Sequence, residues 1–101
     1  MKLLGTIGKQ QVLILVDSGS IGTFVSHSLV SKLQLSTKPC AESSYKSASG
    51  GTMICNSVVP QLSWLVQGHT FLSDARVLNL QCYDMVLGED WLETCSPMWI
   101  H

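Results

Sequence analysis

Seven residues of this chain are acidic, and one of them, Asp17, stands directly behind an unbroken apolar run, Val12 to Val16. It is followed at once by Ser18, Gly19 and Ser20, small residues with little to pack. A carboxylate delivered by a buried strand is costly to desolvate unless something is gained from it. Alone, such a group is simply ionised at neutral pH, its ordinary value lying near 3.9. Two carboxylates about 3 Å apart cannot both hold a charge, so they share one proton and titrate as a unit. The charged member can then take a proton from water while the protonated member polarises a carbonyl. No second Asp-Ser/Thr-Gly occurs, and Asp74, Asp84 and Asp90 each lack the small-residue turn. The missing partner is therefore expected to be Asp17 of a second copy, supplied by a two-fold axis. The plain alternative is that Asp17 caps the following helix as a turn residue.

Other chemistries find little support. Ser20 in "GSIG" is not a nucleophile elbow, which requires Gly-x-Ser-x-Gly, and the same stretch lacks the lysine of a phosphate loop. His27, His69 and His101 share no spacing, and Cys40, Cys55, Cys82 and Cys95 form no Cys-x-x-Cys or Cys/His cluster. No metal site and no cofactor are expected. The scattered thiols read as small core residues of a reducing compartment rather than a disulfide framework, although four thiols would suffice for two bridges.

These residues need elements to hold them. Leu3 to Ile7 and Gln11 to Val16 read as two strands joined at Gly8-Lys9, the second buried on both faces. Phe24, Val25, Leu29, Val30 and Leu33 recur at helical spacing, and with Ser26 as N-cap they predict a helix to about Leu35. Residues 36–52 are polar and small, and Gly50-Gly51 reads as a hairpin tip between two strand-like segments. Leu62, Trp64 and Val66 alternate, giving a strand with one buried face; Gln67-Gly68-His69 turns the chain into further strand. Met85, Val86 and Leu87 form a short apolar strand ended by Gly88. Glu89 and Asp90 suit the first turn of a second helix, which Pro97 stops. Asp84 and Asp90 are expected to be structural. Trp64, Trp91 and Trp99 are expected to be core or dimer-interface aromatics. Apolar strand, glycine turn and amphipathic helix thus occur twice, at 12–33 and 85–95. This looks like a weak internal duplication with the carboxylate in its first copy alone.

A chain of 101 residues fits one domain, 1–101. A domain of this size buries only about 60 to 65% of its unfolded surface. Yet 46% of its residues are hydrophobic and 13% charged, against a usual charged share of about 25%. The excess suggests a subunit that completes its core against another copy, a segment of a longer polypeptide, or both. With a net charge of −1 and no basic stripe, nucleic acid is not an expected partner. The five-residue run Val12 to Val16 is far short of the roughly 20 needed to span a bilayer. The opening "MKLLGTIGKQQ" loses its apolar character at Lys9, before a signal-peptide core could form.

"VLILVDSGS" followed by "TFVS" resembles the active-site segment of the retropepsin-type aspartic proteases, in particular those of plant-like Ty3/gypsy LTR retrotransposons. "SASGG", "VQGHTF", "ARVLNL" and "YDMVLGEDWL" follow in the order of that family's flap, mid-domain hairpin and second glycine turn. The resemblance covers essentially the whole chain. It implies an all-β fold with one or two short helices, a closed barrel-like half that pairs as a homodimer. It implies an aspartic endopeptidase that cleaves a retrotransposon Gag-Pol polyprotein with an activated water, without metal or covalent intermediate. An intracellular, cytoplasmic setting, in a virus-like particle or polyprotein, goes with it. Asp17 would be the catalytic carboxylate, Ser18 would hydrogen-bond across the dimer, and Gly19 would let the backbone approach the substrate. Ala48, Ser49, Gly50 and Gly51 match the flap tip over an extended peptide. Ser20, Ile21 and Leu87 would also face the substrate, Leu87 with Gly88 bracing the active-site loop.

The chain departs from the pattern at three places. Ile21 and Glu89 replace the acid and arginine that form an ion pair in the viral enzymes. Ile21-Gly22 also replaces the polar pair frequent in retrotransposon relatives, which bears on substrate anchoring. Ser20 stands for the viral alanine, and a hydroxyl donor beside the dyad would favour its ionised form. The alternative reading is a catalytically inactive module of the same fold that dimerises or grips a peptide.

Overall fold

The structure, a computed structural model, describes residues 1–17, 19–20, 22–47 and 50–88. Its first hairpin pairs β1 (Lys2–Ile7) with β2 (Gln10–Val16), as the Gly8-Lys9 turn predicts. Val12, Ile14 and Val16 are buried while Leu13 and Leu15 are only half-buried. The expected burial of both faces is thus corrected: Leu15 turns to a smaller second cluster around Phe24, Cys55, Leu78 and Val86.

Phe24 and Val25, expected on the helix, instead form β3 (Phe24–Ser26), parallel to one strand and antiparallel to another. An aromatic and a β-branched residue buried side by side suit a strand. The helix α1 (His27–Leu33) begins only after Ser26, whose hydroxyl caps it by accepting from Leu29 N at 3.3 Å. Gln34, in the left-handed conformation at φ 52°, closes α1 before Leu35.

The remaining strands are β4 (Lys38–Lys46), β5 (Thr52–Val66), β6 (His69–Leu78) and β7 (Met85–Leu87). Gln67 and Gly68, both at positive φ, make the tight turn between β5 and β6. Strand order is β1-β2-β7-β3-β6-β5, and β1 bonds back to β5 at Thr6 and Leu65. The result is a closed six-stranded barrel, with β4 lying outside it along the far half of β5. This is the all-β architecture with a short helix that the sequence implies; the second expected helix, at 89–95, lies outside the described residues.

The barrel is filled by Trp64, Ile14, Met85, Leu87, Val12 and Val66, each at most 1% exposed. Burial of side chains this large stabilises by about 1.5–3 kcal/mol apiece. Trp64 stacks on Phe71 with ring centroids 6.0 Å apart. Its alternation with Leu62 and Val66 is the one-sided pattern expected. At the barrel's centre β2 and β7 run parallel in the register Ile14–Met85, Leu15–Val86, Val16–Leu87. The strands of the two suspected repeats therefore lie side by side. Among the described residues, no helix is long and apolar enough to cross a membrane.

Candidate active site

The turn carrying Asp17 leaves β2 and is held from beneath by β7. The Asp17 N–H donates to the Leu87 carbonyl at 2.9 Å, extending the β2–β7 ladder by one bond. The Asp17 carbonyl accepts from Ser20 N at 3.0 Å, which closes the turn. The Gly19 N–H donates to Asp17 Oδ1 at 2.9 Å, so the side chain is oriented by its own loop. The carboxylate itself is exposed. A carboxylate fixed at one oxygen and open to solvent is placed to meet a second group, or a water, from outside the barrel.

Gly88 supports the turn by close approach. A Cβ there would lie 2.5 Å from the Gly22 carbonyl oxygen and 2.6 Å from that of Ser20. Both are backbone atoms of the active-site loop, so the two glycine turns nest only without a side chain. Asp84 locks the same region from the other end of β7. Its N–H donates to the Leu13 carbonyl at 2.9 Å, its Oδ2 accepts from Leu13 N at 2.8 Å, and its carbonyl accepts from Ser26 N at 2.8 Å. One residue so ties β2, β3 and β7 together, the structural part expected of it.

Of the residues expected at the site, Asp17, Gly19 and Ser20 are gathered in one turn. The Ser20 hydroxyl donates to the Gly22 carbonyl at 2.9 Å, which directs its proton along the loop and away from the carboxylate. Leu87 is fully buried in the main core. Its carbonyl braces the turn, the part expected of it with Gly88, while its side chain packs in the core rather than along the substrate. Gly50 and Gly51 sit at the tip of the β4–β5 hairpin, as expected, with Gly50 at φ +92°. The tip is closed by Ser47, whose N–H donates to the Gly51 carbonyl at 2.8 Å and whose Oγ accepts from Gly51 N at 3.1 Å. Ser18, Ile21, Ala48 and Ser49 lie outside the described residues.

Between this hairpin and the barrel lies a cleft of about 470 Å³ that starts at Gly22 and Thr23, just past the acidic turn. Its walls include Tyr45 of β4 and Asp74 and Arg76 of β6. Nothing in the pattern of the sequence singles out Arg76; its position follows from the Phe24–Arg76 pairing of β3 with β6. Among the described residues, no group of three or more His, Cys, Asp or Glu side chains is gathered to hold a metal ion.

Comparison with known proteins agrees with this geometry. The family profile described as retroviral aspartyl protease matches residues 5–98. No curated protein sequence gives a match. Among solved structures, the retroviral protease-like domain of Ddi1 from Leishmania major superposes with a TM-score of 0.70 at 15% identity, covering 93% of this chain and 75% of that one. The EIAV protease, complexed with the inhibitor HBY-793, gives a TM-score of 0.71 at 14% identity, covering 93% of this chain and 86% of its own.

Proposed function

Because the chain belongs to the retroviral aspartyl protease family, we propose that it is an aspartic endopeptidase whose active form is a pair of identical chains. Each would contribute one Asp17, and the two carboxylates would share a proton across the two-fold axis. The charged carboxylate removes a proton from a water, whose oxygen attacks the peptide carbonyl carbon. The protonated one gives its hydrogen to the carbonyl oxygen. The proton taken from water then passes to the amide nitrogen. As the intermediate collapses to acid and amine, the second carboxylate recovers a hydroxyl proton, with no covalent enzyme adduct. Ser18 would bind across the axis, Gly19 would admit the peptide backbone, and residues 48–51 would close over it. The proposed substrate is an extended segment of an LTR-retrotransposon polyprotein in the cytoplasm, a reading supported by the motifs around Asp17 and Gly88.

The observation that carries this reading is the Asp17 turn: an exposed carboxylate oriented by Gly19 and buttressed from the core by Leu87 and Gly88. A site built only to cap a helix would not need that support, since α1 is capped by Ser26.

The test is digestion of denatured casein between pH 4 and 7 by wild-type protein and by Asp17→Asn, with and without pepstatin. Loss of the acid–base group is expected to cost on the order of 10²-fold or more. Equal digestion by both proteins would end the reading. Ser20 turning its proton to Gly22, with Ile21-Gly22 in place of a polar pair, favours one second reading, a peptide-gripping module that does not cut. Binding without digestion would identify it.

A further inference from the structure

Arg76 reaches into the cleft beside the acidic turn with its guanidinium already anchored. Its Nη1 donates to the Tyr45 hydroxyl at 2.9 Å and to Ser43 Oγ at 3.5 Å. Both N–H bonds of that nitrogen are thereby committed to the wall made by β4. The N–H groups of Nε and Nη2 have no partner among the described residues, and they form the edge of the guanidinium that fits a carboxylate in two parallel bonds.

Asp74 lines the same cleft, but its Oδ1 is taken by the backbone N–H of Gln61 at 2.8 Å. The groups acting on the Arg76 charge are Tyr45 first, whose hydroxyl holds its pKa above the ordinary arginine value, then the Cys55 and Cys40 thiols. No carboxylate is among them, so among the described residues none neutralises the positive charge.

The anchor also fixes the place of the charge. Tyr45 packs edge-on against Phe24, ring centroids 4.9 Å apart and planes at 72°. Phe24 is paired through the backbone with Arg76 itself, whose N–H donates to Thr23 O at 3.0 Å. The cation is thus tied at both ends to the strand that leaves the acidic turn.

We infer that Arg76, anchored by Tyr45, reads an acidic side chain of the peptide a few residues from its centre. This rests on the reading of the cleft as part of a peptide-binding groove. It adds that the peptides held there are Asp- or Glu-bearing. In a two-fold dimer the same contact is made on both flanks.

The probe is an array of short immobilised peptides in matched sets that differ only by Glu, Gln or Lys at one position. It is incubated with Asp17→Asn protein, which leaves the peptides uncut, carrying Arg76, Arg76→Gln, Arg76→Lys or Arg76→Glu. Thermal melting confirms that each exposed-site variant is folded. Glu peptides are expected to be retained about three- to tenfold better than their Gln partners, the size of a partly exposed bidentate pair. The preference is lost with Arg76→Gln, weakened with Arg76→Lys and turned toward Lys peptides with Arg76→Glu. Equal retention of Glu and Gln peptides, retention of none, or a preference unchanged by Arg76→Gln would overturn the inference. Casein digestion by the Asp17 protein, with cut sites mapped by mass spectrometry, is scored in parallel. Acid-dependent retention without digestion keeps this inference and ends the endopeptidase reading; digestion with no acidic preference does the reverse.

Discussion

Asp17 is legible from the sequence because an acid after five apolar residues, followed by Ser-Gly-Ser, makes little sense as packing. Arg76 is not, because what makes it notable is a hydroxyl on another strand 31 residues away. Asp84 lies between these cases: a structural part can be read, but its three bonds to Leu13 and Ser26 depend on strands the sequence does not place together. The thiols show how burial alone separates like residues. Cys82 is exposed, Cys40 half-buried and Cys55 fully buried. Burial pushes the Cys40 thiol up, and the adjacent Cys55 thiol adds to the effect while Arg76 opposes it. The thiolate is the reacting species, so a raised value leaves less of it near neutrality. Of the three described thiols, maleimide at pH 7 is therefore expected to label Cys82 first and Cys40 more slowly, with Cys40 labelling rising later in pH than an ordinary thiol. Cys55 should react only on unfolding. Mass spectrometry of the labelled peptides checks the order, and early labelling of Cys55 would show that the small cluster is open.

At the level of elements, segments with a strong one-sided pattern are readable and those without one are not. The β1–β2 hairpin, the Ser26 cap, the Trp64 strand and β7 all announce themselves by apolar spacing or turn residues. β4 is legible only as a strand-like segment before the Gly50-Gly51 tip, without bounds, because it lies outside the barrel and presents mostly exposed residues along Lys38–Lys46. Its pairing with β5 defines it, and that pairing shifts between Pro39 and Ser43. β3 merges with the helix in the sequence pattern because two apolar residues before an N-cap fit either period. The nesting of the two glycine turns is also a property of elements, and it gives a sharp expectation. Gly88→Ala must push Ser20 and Gly22 apart, costing about 1–3 kcal/mol as overpacking does and lowering turnover with it. At Gly51 a Cβ would meet Ser47 Oγ at an ordinary 3.5 Å, so Gly51→Ala should change stability by less than about 0.5 kcal/mol. Thermal denaturation of the two variants makes the comparison; equal effects would mean that Gly88 is not a brace.

For the whole molecule, the closed barrel satisfies most of the apolar content but not all of it. Met1, Leu4, Ile54, Leu65 and Leu72 remain between 40 and 64% exposed. The proposed pairing of chains makes activity a matter of concentration. Turnover per chain is expected to rise steeply with protein concentration and then level off, in step with the dimer fraction seen by sedimentation. A rate per chain that stays constant while sedimentation shows single chains would overturn the paired site. The order in which the barrel is assembled has a consequence of its own. β7 is inserted between β2 and β3, and the bond from Leu13 to Asp84 spans 71 positions of the chain. Contacts so far apart in sequence form late. A nascent chain emerging from the ribosome thus displays its acid long before the buttress beneath it has been translated. Until then the acidic turn lacks the strand that holds it from beneath.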